Sequence, residues 1–163
     1  MTDSRAVEVL ALLQQRSQTL ATAESLTGGL IGELLTDVPG ASAAYLGGAI
    51  TYATRLKATL AGVQESVLST YGPVDGRTAV QMAGGIAVRC LADWGLAVTG
   101  VAGPEPQDGH RVGQVFLAVC RRDPAQSHLR ELNLSGDRAT VRRSTARAAL
   151  DLLVEVLGMP QAR

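Results

Sequence analysis

Aromatic side chains are scarce in this sequence: Trp94, Phe116 and three tyrosines make up 3% of the chain. That is too few for the stacking platforms on which single-stranded nucleic-acid binders rely. A charge excess is missing as well. Acidic and basic residues balance at 15 each, so no net field draws nucleic acid or an anionic membrane, and neither is expected as a partner. The two histidines, His110 and His128, stand in polar surroundings without a second histidine or carboxylate at ligand spacing. No metal site is expected, and no organic cofactor. The two cysteines, Cys90 and Cys120, lie far apart, each in an apolar run. They read as buried free thiols, a usage that suits a reducing cytoplasm. No run reaches the ~18 apolar residues of a membrane span. The first apolar stretch stops at Gln14, Gln15 and Arg16, too early for a secretory signal. Lysine occurs once, as Lys57, and every other cation is arginine.

What is abundant is glycine and alanine, which permit sharp turns and close helix–sheet packing. The 163 residues are enough for one domain over 1–163, burying about two-thirds of its unfolded surface. Apolar spacing predicts helices over 1–16, 27–36, 54–61, 64–70 and 77–92, and a last one after Ser135-Gly136-Asp137. Asp3 or Ser4 and Asp75 are the expected caps for the first and fifth of these. Strands are predicted over 19–23, 46–53, 96–99, 112–120 and 129–134. Helices and strands interleave, so the fold class is α/β: a three-layer α/β/α sandwich around a mixed, mostly parallel sheet of about five strands. The hairpin pattern from 112 to 134 makes the sheet mixed.

Hydroxyl and glycine residues crowd the joints between apolar runs from Thr22 to Gly62. Thr22-Ala23-Glu24-Ser25 closes one run and Thr27-Gly28-Gly29 opens the next, a strand–turn–helix reading that would aim free backbone N–H groups at an anion. Further on stand Ser42, Tyr52 and Lys57. A serine, a tyrosine and a lysine without a useful histidine suit a hydrolase whose base is an amine. Each has a plainer alternative: a turn serine, a strand tyrosine with its ring in the core, and a lysine snorkelling to the surface. In the helix over 54–61, Leu56 and Leu60 are expected to face inward with Lys57 beside them. A lysine can lose its proton when buried, whereas arginine cannot.

The second glycine-rich joint, Gly100 to Pro104, follows a short apolar strand, which is where ligands bind in open α/β sheets. Glu24 reads as an internal polar anchor before it reads as a substrate contact. Trp94 reads as packing. The arginines Arg138, Arg142, Arg143 and Arg147 read as a partly solvated helix face.

The segments TAESLTGG, DVPGASAAYLGGAITYATRLK, AVTGVAGP, VGQVFLAV and SGDRATVRR together resemble the CinA C-terminal domain family, from about Thr19 to the final helix. Its characterised enzymes are nicotinamide-nucleotide amidases, also called NMN deamidases. Its larger members carry an additional N-terminal domain, which is not expected within these 163 residues. The resemblance implies a serine–lysine amidase whose nucleophile follows the Pro-Gly turn. That assigns the nucleophile to Ser42 and the base to Lys57, which would take the serine's proton directly or through Tyr52 as a relay. Substrate-binding walls are implied at Ser25, Thr27, Gly28 and Gly29, at Thr99, Gly100, Ala102 and Gly103, and at Arg138. The implied reaction converts nicotinamide mononucleotide and water to nicotinic acid mononucleotide and ammonia. A homo-oligomer in the cytoplasm is expected. Two alternatives on the same fold are a nucleotide-binding regulatory module without turnover and a competence- or DNA-damage-associated interaction domain. The sequence departs from the family pattern at Leu26, at Ala53-Thr54 and in the shorter loop 105–111, all outside the implied catalytic set.

Overall fold

The computed structural model describes residues 2–160. In chain order the elements are α1 (Ser4–Gln15), β1 (Leu20–Glu24), α2 (Leu30–Thr36), a 3-10 turn (Ala41–Ala43) and β2 (Tyr45–Ile50). Then come α3 (Thr54–Thr59), α4 (Glu65–Tyr71), α5 (Gly76–Arg89), β3 (Trp94–Gly100), β4 (Gln114–Arg121), β5 (Gln126–Asn133) and α6 (Arg138–Gly158). Asp3, Asp75 and Asp137 each cap a helix, accepting from the N–H of Arg5, Arg77 and Thr140. The expected start of the first helix at Met1 lies outside the described residues.

The sheet has five strands in the order β2-β1-β3-β4-β5. β1 pairs parallel with β2 and β3, while β4 is antiparallel to both β3 and β5. All strands but β4 therefore run the same way. One face of the sheet packs against α1, α2 and α6 through Leu20, Leu96, Val98 and Leu117. The other carries Ala21, Ala23, Ala97 and Ala118 against α5 and the segments before it. The second interface is close because its residues are small: a Cβ on Gly95 would lie 1.9 Å from the carbonyl oxygen of Ala83 on α5. No described helix is long and apolar enough to cross a membrane.

Three local expectations are corrected. The helix predicted from Thr27 begins at Leu30, because Gly28 and Gly29 both adopt left-handed φ values of +59° and +103°. The fifth helix, predicted to run to Ala92, ends at Arg89, and Leu91 beyond it is 74% exposed at φ +54°. In α3 the inward position belongs to Lys57 at 1% exposure, whereas Leu60 is 42% exposed. The apolar spacing of Leu56 and Leu60 pointed to the wrong face.

Candidate active site

The connection from β1 to β2 carries α2 on one face of the sheet, and the connection from β2 to β3 carries α5 on the other. The chain thus leaves the adjacent carboxyl ends of β1 and β2 toward opposite faces of the sheet, beside the carboxyl end of β3, and open α/β sheets form a ligand crevice at such a place. A small cleft of about 130 Å³ opens there, below the roughly 300–1,000 Å³ of most small-molecule sites, and its mouth is open to solvent. Its walls come from the residue after β1 (Ser25), from Tyr52 beyond β2, from Lys57 on α3, from the loop after β3 and from Arg138 at the start of α6.

Lys57 and Ser25 meet at the floor. The Lys57 ammonium donates to Ser25 Oγ at 3.0 Å and to the Thr51 carbonyl at 2.7 Å. Ser25 is 8% exposed, and its N–H donates to the Val98 carbonyl of β3, which ties the turn to the sheet. Lys57 forms no ion pair among the described residues. Burial alone lowers its pKa from the ordinary 10.5 to about 8, because desolvation penalises the charged amine. In the neutral state the Thr51 carbonyl, which can only accept, holds one N–H of the amine. The lone pair is then free to take the hydroxyl proton of Ser25.

The mouth is tied by Arg138, which donates to the Gly103 carbonyl at 2.6 Å and to the Tyr52 hydroxyl at 2.9 Å. Tyr52 is 61% exposed and its ring is not in the core. The Thr99 hydroxyl donates to the Pro73 carbonyl at 2.6 Å, joining the end of β3 to the segment that leads into α5. Glu105 and Gln107, from the shortened loop, also line the cleft.

Ser25, Tyr52, Lys57, Thr99, Gly100, Ala102, Gly103 and Arg138 therefore share one cleft. Ser42 does not. It sits in the 3-10 turn before β2, in a separate surface groove with Val38, Pro39 and Leu46. Lys57 follows the other end of that strand, and the five rises of about 3.3 Å between its six residues separate the two ends by roughly 17 Å. The serine within reach of the lysine is Ser25, so the pairing of Ser42 with Lys57 is corrected on geometry.

Thr27, Gly28 and Gly29 are not among the lining residues either. The N–H groups expected to face an anion are already engaged. Glu24, 2% exposed, accepts from Gly29, Ile31 and Gly32 at 3.0, 3.1 and 2.9 Å. Its carboxylate caps α2 from the end of β1 and occupies the position an external anion would take. The reading of Glu24 as an internal anchor agrees with these bonds. Cys120 is buried and Cys90 half-buried, both as free thiols, and no described group of side chains has the makeup of a metal site.

The fold and site define a three-layer α/β domain with a buried serine–lysine pair at the carboxyl ends of its parallel strands. The sequence comparisons place it more narrowly. The CinA C-terminal domain model matches residues 2–157, and the chain belongs to that family. It is 48% identical over 161 residues to a CinA-like protein of Frankia casuarinae, covering 98% of this chain and 37% of that relative. A CinA-like protein of Acidobacterium capsulatum is 44% identical over 146 residues, 89% of this chain and 35% of the relative. The chain thus spans little more than a third of the length of these relatives. Among solved structures, the competence damage-inducible protein A (ComA) of Klebsiella pneumoniae superposes with a TM-score of 0.91 at 32% identity, covering 96% of this chain and 97% of that one. The competence/damage inducible protein CihA of Agrobacterium tumefaciens gives 0.87 at 33% identity, with coverages of 98% and 99%.

Proposed function

We propose that this domain is an amidohydrolase that converts nicotinamide mononucleotide to nicotinic acid mononucleotide and ammonia, with Ser25 as nucleophile and Lys57 as base. The observation that carries the reading is the 3.0 Å contact between Lys57 Nζ and Ser25 Oγ, made by the chain's single lysine, at 1% exposure and with its pKa lowered to about 8. A lysine that serves only to attract an anion has no reason to be dried and left without a carboxylate. One that must accept a proton does.

Neutral Lys57 takes the Ser25 proton as Oγ attacks the carboxamide carbon. The Ser25 carbonyl accepts from the Gly28 N–H, so the N–H of Leu26, on the opposite side of that peptide, is left to face the developing oxyanion. The C–N bond breaks as the Lys57 ammonium returns its proton to the departing nitrogen, which leaves as ammonia. Water then attacks the Ser25 ester, passing a proton through Lys57 to Ser25 Oγ, and the nucleotide acid is released. Proton transfer is direct. The Tyr52 hydroxyl, tied to Arg138 at the mouth, is assigned to the substrate's edge instead of to a relay.

Incubation of the purified protein with nicotinamide mononucleotide, followed by measurement of released ammonia and of the nucleotide product, tests the reading. Stoichiometric formation of both is expected. A wild-type protein that binds the nucleotide but releases no ammonia would leave this chain a binding module.

A further inference from the structure

The arginines along α6 do not form one solvated face. Arg143 and Arg147 are exposed, and Arg147 lies 3.5 Å from Asp3 on the outer surface. Arg142 is half-buried and turned inward. Its Nε donates to the Leu26 carbonyl at 2.9 Å and its Nη2 to the Thr27 carbonyl at 2.9 Å. Two N–H groups of one rigid guanidinium thus hold the two consecutive carbonyls that follow Ser25, more than a hundred residues earlier in the chain. Arg138 stands four residues before Arg142, on the same side of α6, and holds the Gly103 carbonyl and Tyr52 on the opposite wall.

The turn is shaped to receive this clamp. A Cβ on Gly28 would come within 3.3 Å of Arg142 Nη2, and Gly28 has φ +59°. Ser25 N–H is fixed to Val98, Ser25 O accepts from Gly28, and the Thr27 carbonyl accepts from the Leu30 N–H at 3.3 Å, which leaves the Leu26 carbonyl as the remaining freedom of the turn. Arg142 removes it and adds a second donor to Thr27. A trans peptide places its N–H opposite its C=O, so fixing these carbonyls also fixes the direction of the amides next to the nucleophile.

We infer that Arg142 is a positioning residue for the Ser25–Lys57 pair, acting through the main chain of the Ser25 turn without touching substrate. The inference rests on Ser25 being the nucleophile. Removing the clamp leaves the cleft walls and Lys57 in place but lets Oγ and the neighbouring amides wander from the attacking geometry. The loss therefore falls on kcat and not on KM.

The test uses a serine-directed fluorophosphonate, which reports nucleophile reactivity without a substrate, together with steady-state amidase kinetics. Arg142→Ala is expected to slow both Ser25 labelling and kcat by about tenfold or more, with KM within about twofold. The pH at which labelling rises should be unchanged, since Lys57 keeps its surroundings. Arg142→Lys, which keeps the charge and one donor, should fall between, and it serves if the alanine variant does not fold. Free guanidinium ion should restore part of the rate to Arg142→Ala only. Wild-type protein that labels at Ser25, with both variants labelling equally fast, overturns the clamp alone. A loss confined to KM does so too, by making Arg142 a substrate contact. Failure of wild-type Ser25 to label overturns the nucleophile assignment and the clamp with it.

Discussion

Ser25 Oγ and Lys57 Nζ lie 3.0 Å apart although 32 residues separate them in the chain. What joins them is the parallel pairing of β1 with β2. Ser25 leaves the end of β1, Thr51 leaves the end of β2, and the Thr51 N–H donates to the Glu24 carbonyl at 2.7 Å. The Thr51 carbonyl then receives Lys57 as α3 turns back over the strand ends. Each partner is thus positioned by backbone that the sheet already orders, so the pair is assembled before any ligand arrives.

This relationship separates the two serines by experiment. Ser25→Ala should lower ammonia release by at least about a thousandfold, the scale on which loss of a nucleophile is felt, while nucleotide binding persists. Ser42→Ala should behave like the wild type, since the residue lines a separate groove at the far end of β2. Steady-state assays and a binding titration on both variants decide the matter. A silent Ser42→Ala beside a dead Ser25→Ala is the expected pattern, and the reverse pattern would return the nucleophile to the Pro-Gly turn.

The elements of this fold were legible because their apolar periods are regular. The α6 residues Ala146, Ala149, Leu150, Leu153 and Leu157, spaced for one stripe, are all fully buried. The walls of the cleft were legible from the glycine loop after β3. The expected pairing of Ser42 with Lys57 fails on placement, because spacing along the chain says nothing about which end of a strand each residue occupies. Ser42 precedes β2, whereas sites of this fold gather where parallel strands end, as Ser25 does. Two features had no signal in the pattern. A charged residue at the inward position of α3 contradicts amphipathic spacing, and the capture of the α2 amides by Glu24 depends on a side chain reaching forward from a neighbouring strand. Arg142 was hidden among arginines that do face solvent.

Glu24 should matter for stability more than for turnover. Three N–H groups of the α2 entry converge on its buried carboxylate. Glu24→Gln keeps one acceptor oxygen but removes the charge and places a donor against amide hydrogens. A loss of about 2 kcal/mol or more is expected from unmatched polar groups at a buried site. Urea denaturation reads it directly, and an unchanged midpoint would mean that the cap carries no stabilising energy.

Arg138 should set discrimination for the phosphate. Two of its five N–H groups are visibly engaged, one each with Gly103 and Tyr52, and the others remain free to meet an anion at the cleft mouth. Nicotinamide riboside, lacking the phosphate, should be turned over with a specificity constant roughly tenfold or more below that of the mononucleotide. Arg138→Ala should narrow that gap by weakening the mononucleotide alone. Equal selectivity in wild type and variant would place the phosphate elsewhere.

The pH dependence distinguishes Lys57 as a base from Lys57 as a fixed cation. Burial lowers its pKa in the fold to about 8 from the ordinary 10.5. Activity that needs the neutral amine should therefore rise with pH through about 8 and level off above it, with about a tenth of the molecules competent at pH 7. The same depression has a consequence for folding. Between pH 8 and 10.5 the unfolded chain binds the proton that the folded chain has released, so this residue's contribution to stability rises with pH across that window. Below pH 8 both states are protonated and the cost of the buried charge is carried in full. Lys57→Arg keeps the charge but holds its proton, so it should be as inactive as Lys57→Ala at every pH, whereas an anion-binding lysine would tolerate arginine. A pH–rate profile on the wild type and kinetics on the two variants measure this. An active Lys57→Arg enzyme, or a wild-type rate that falls as pH passes 8, would remove Lys57 from the role of base.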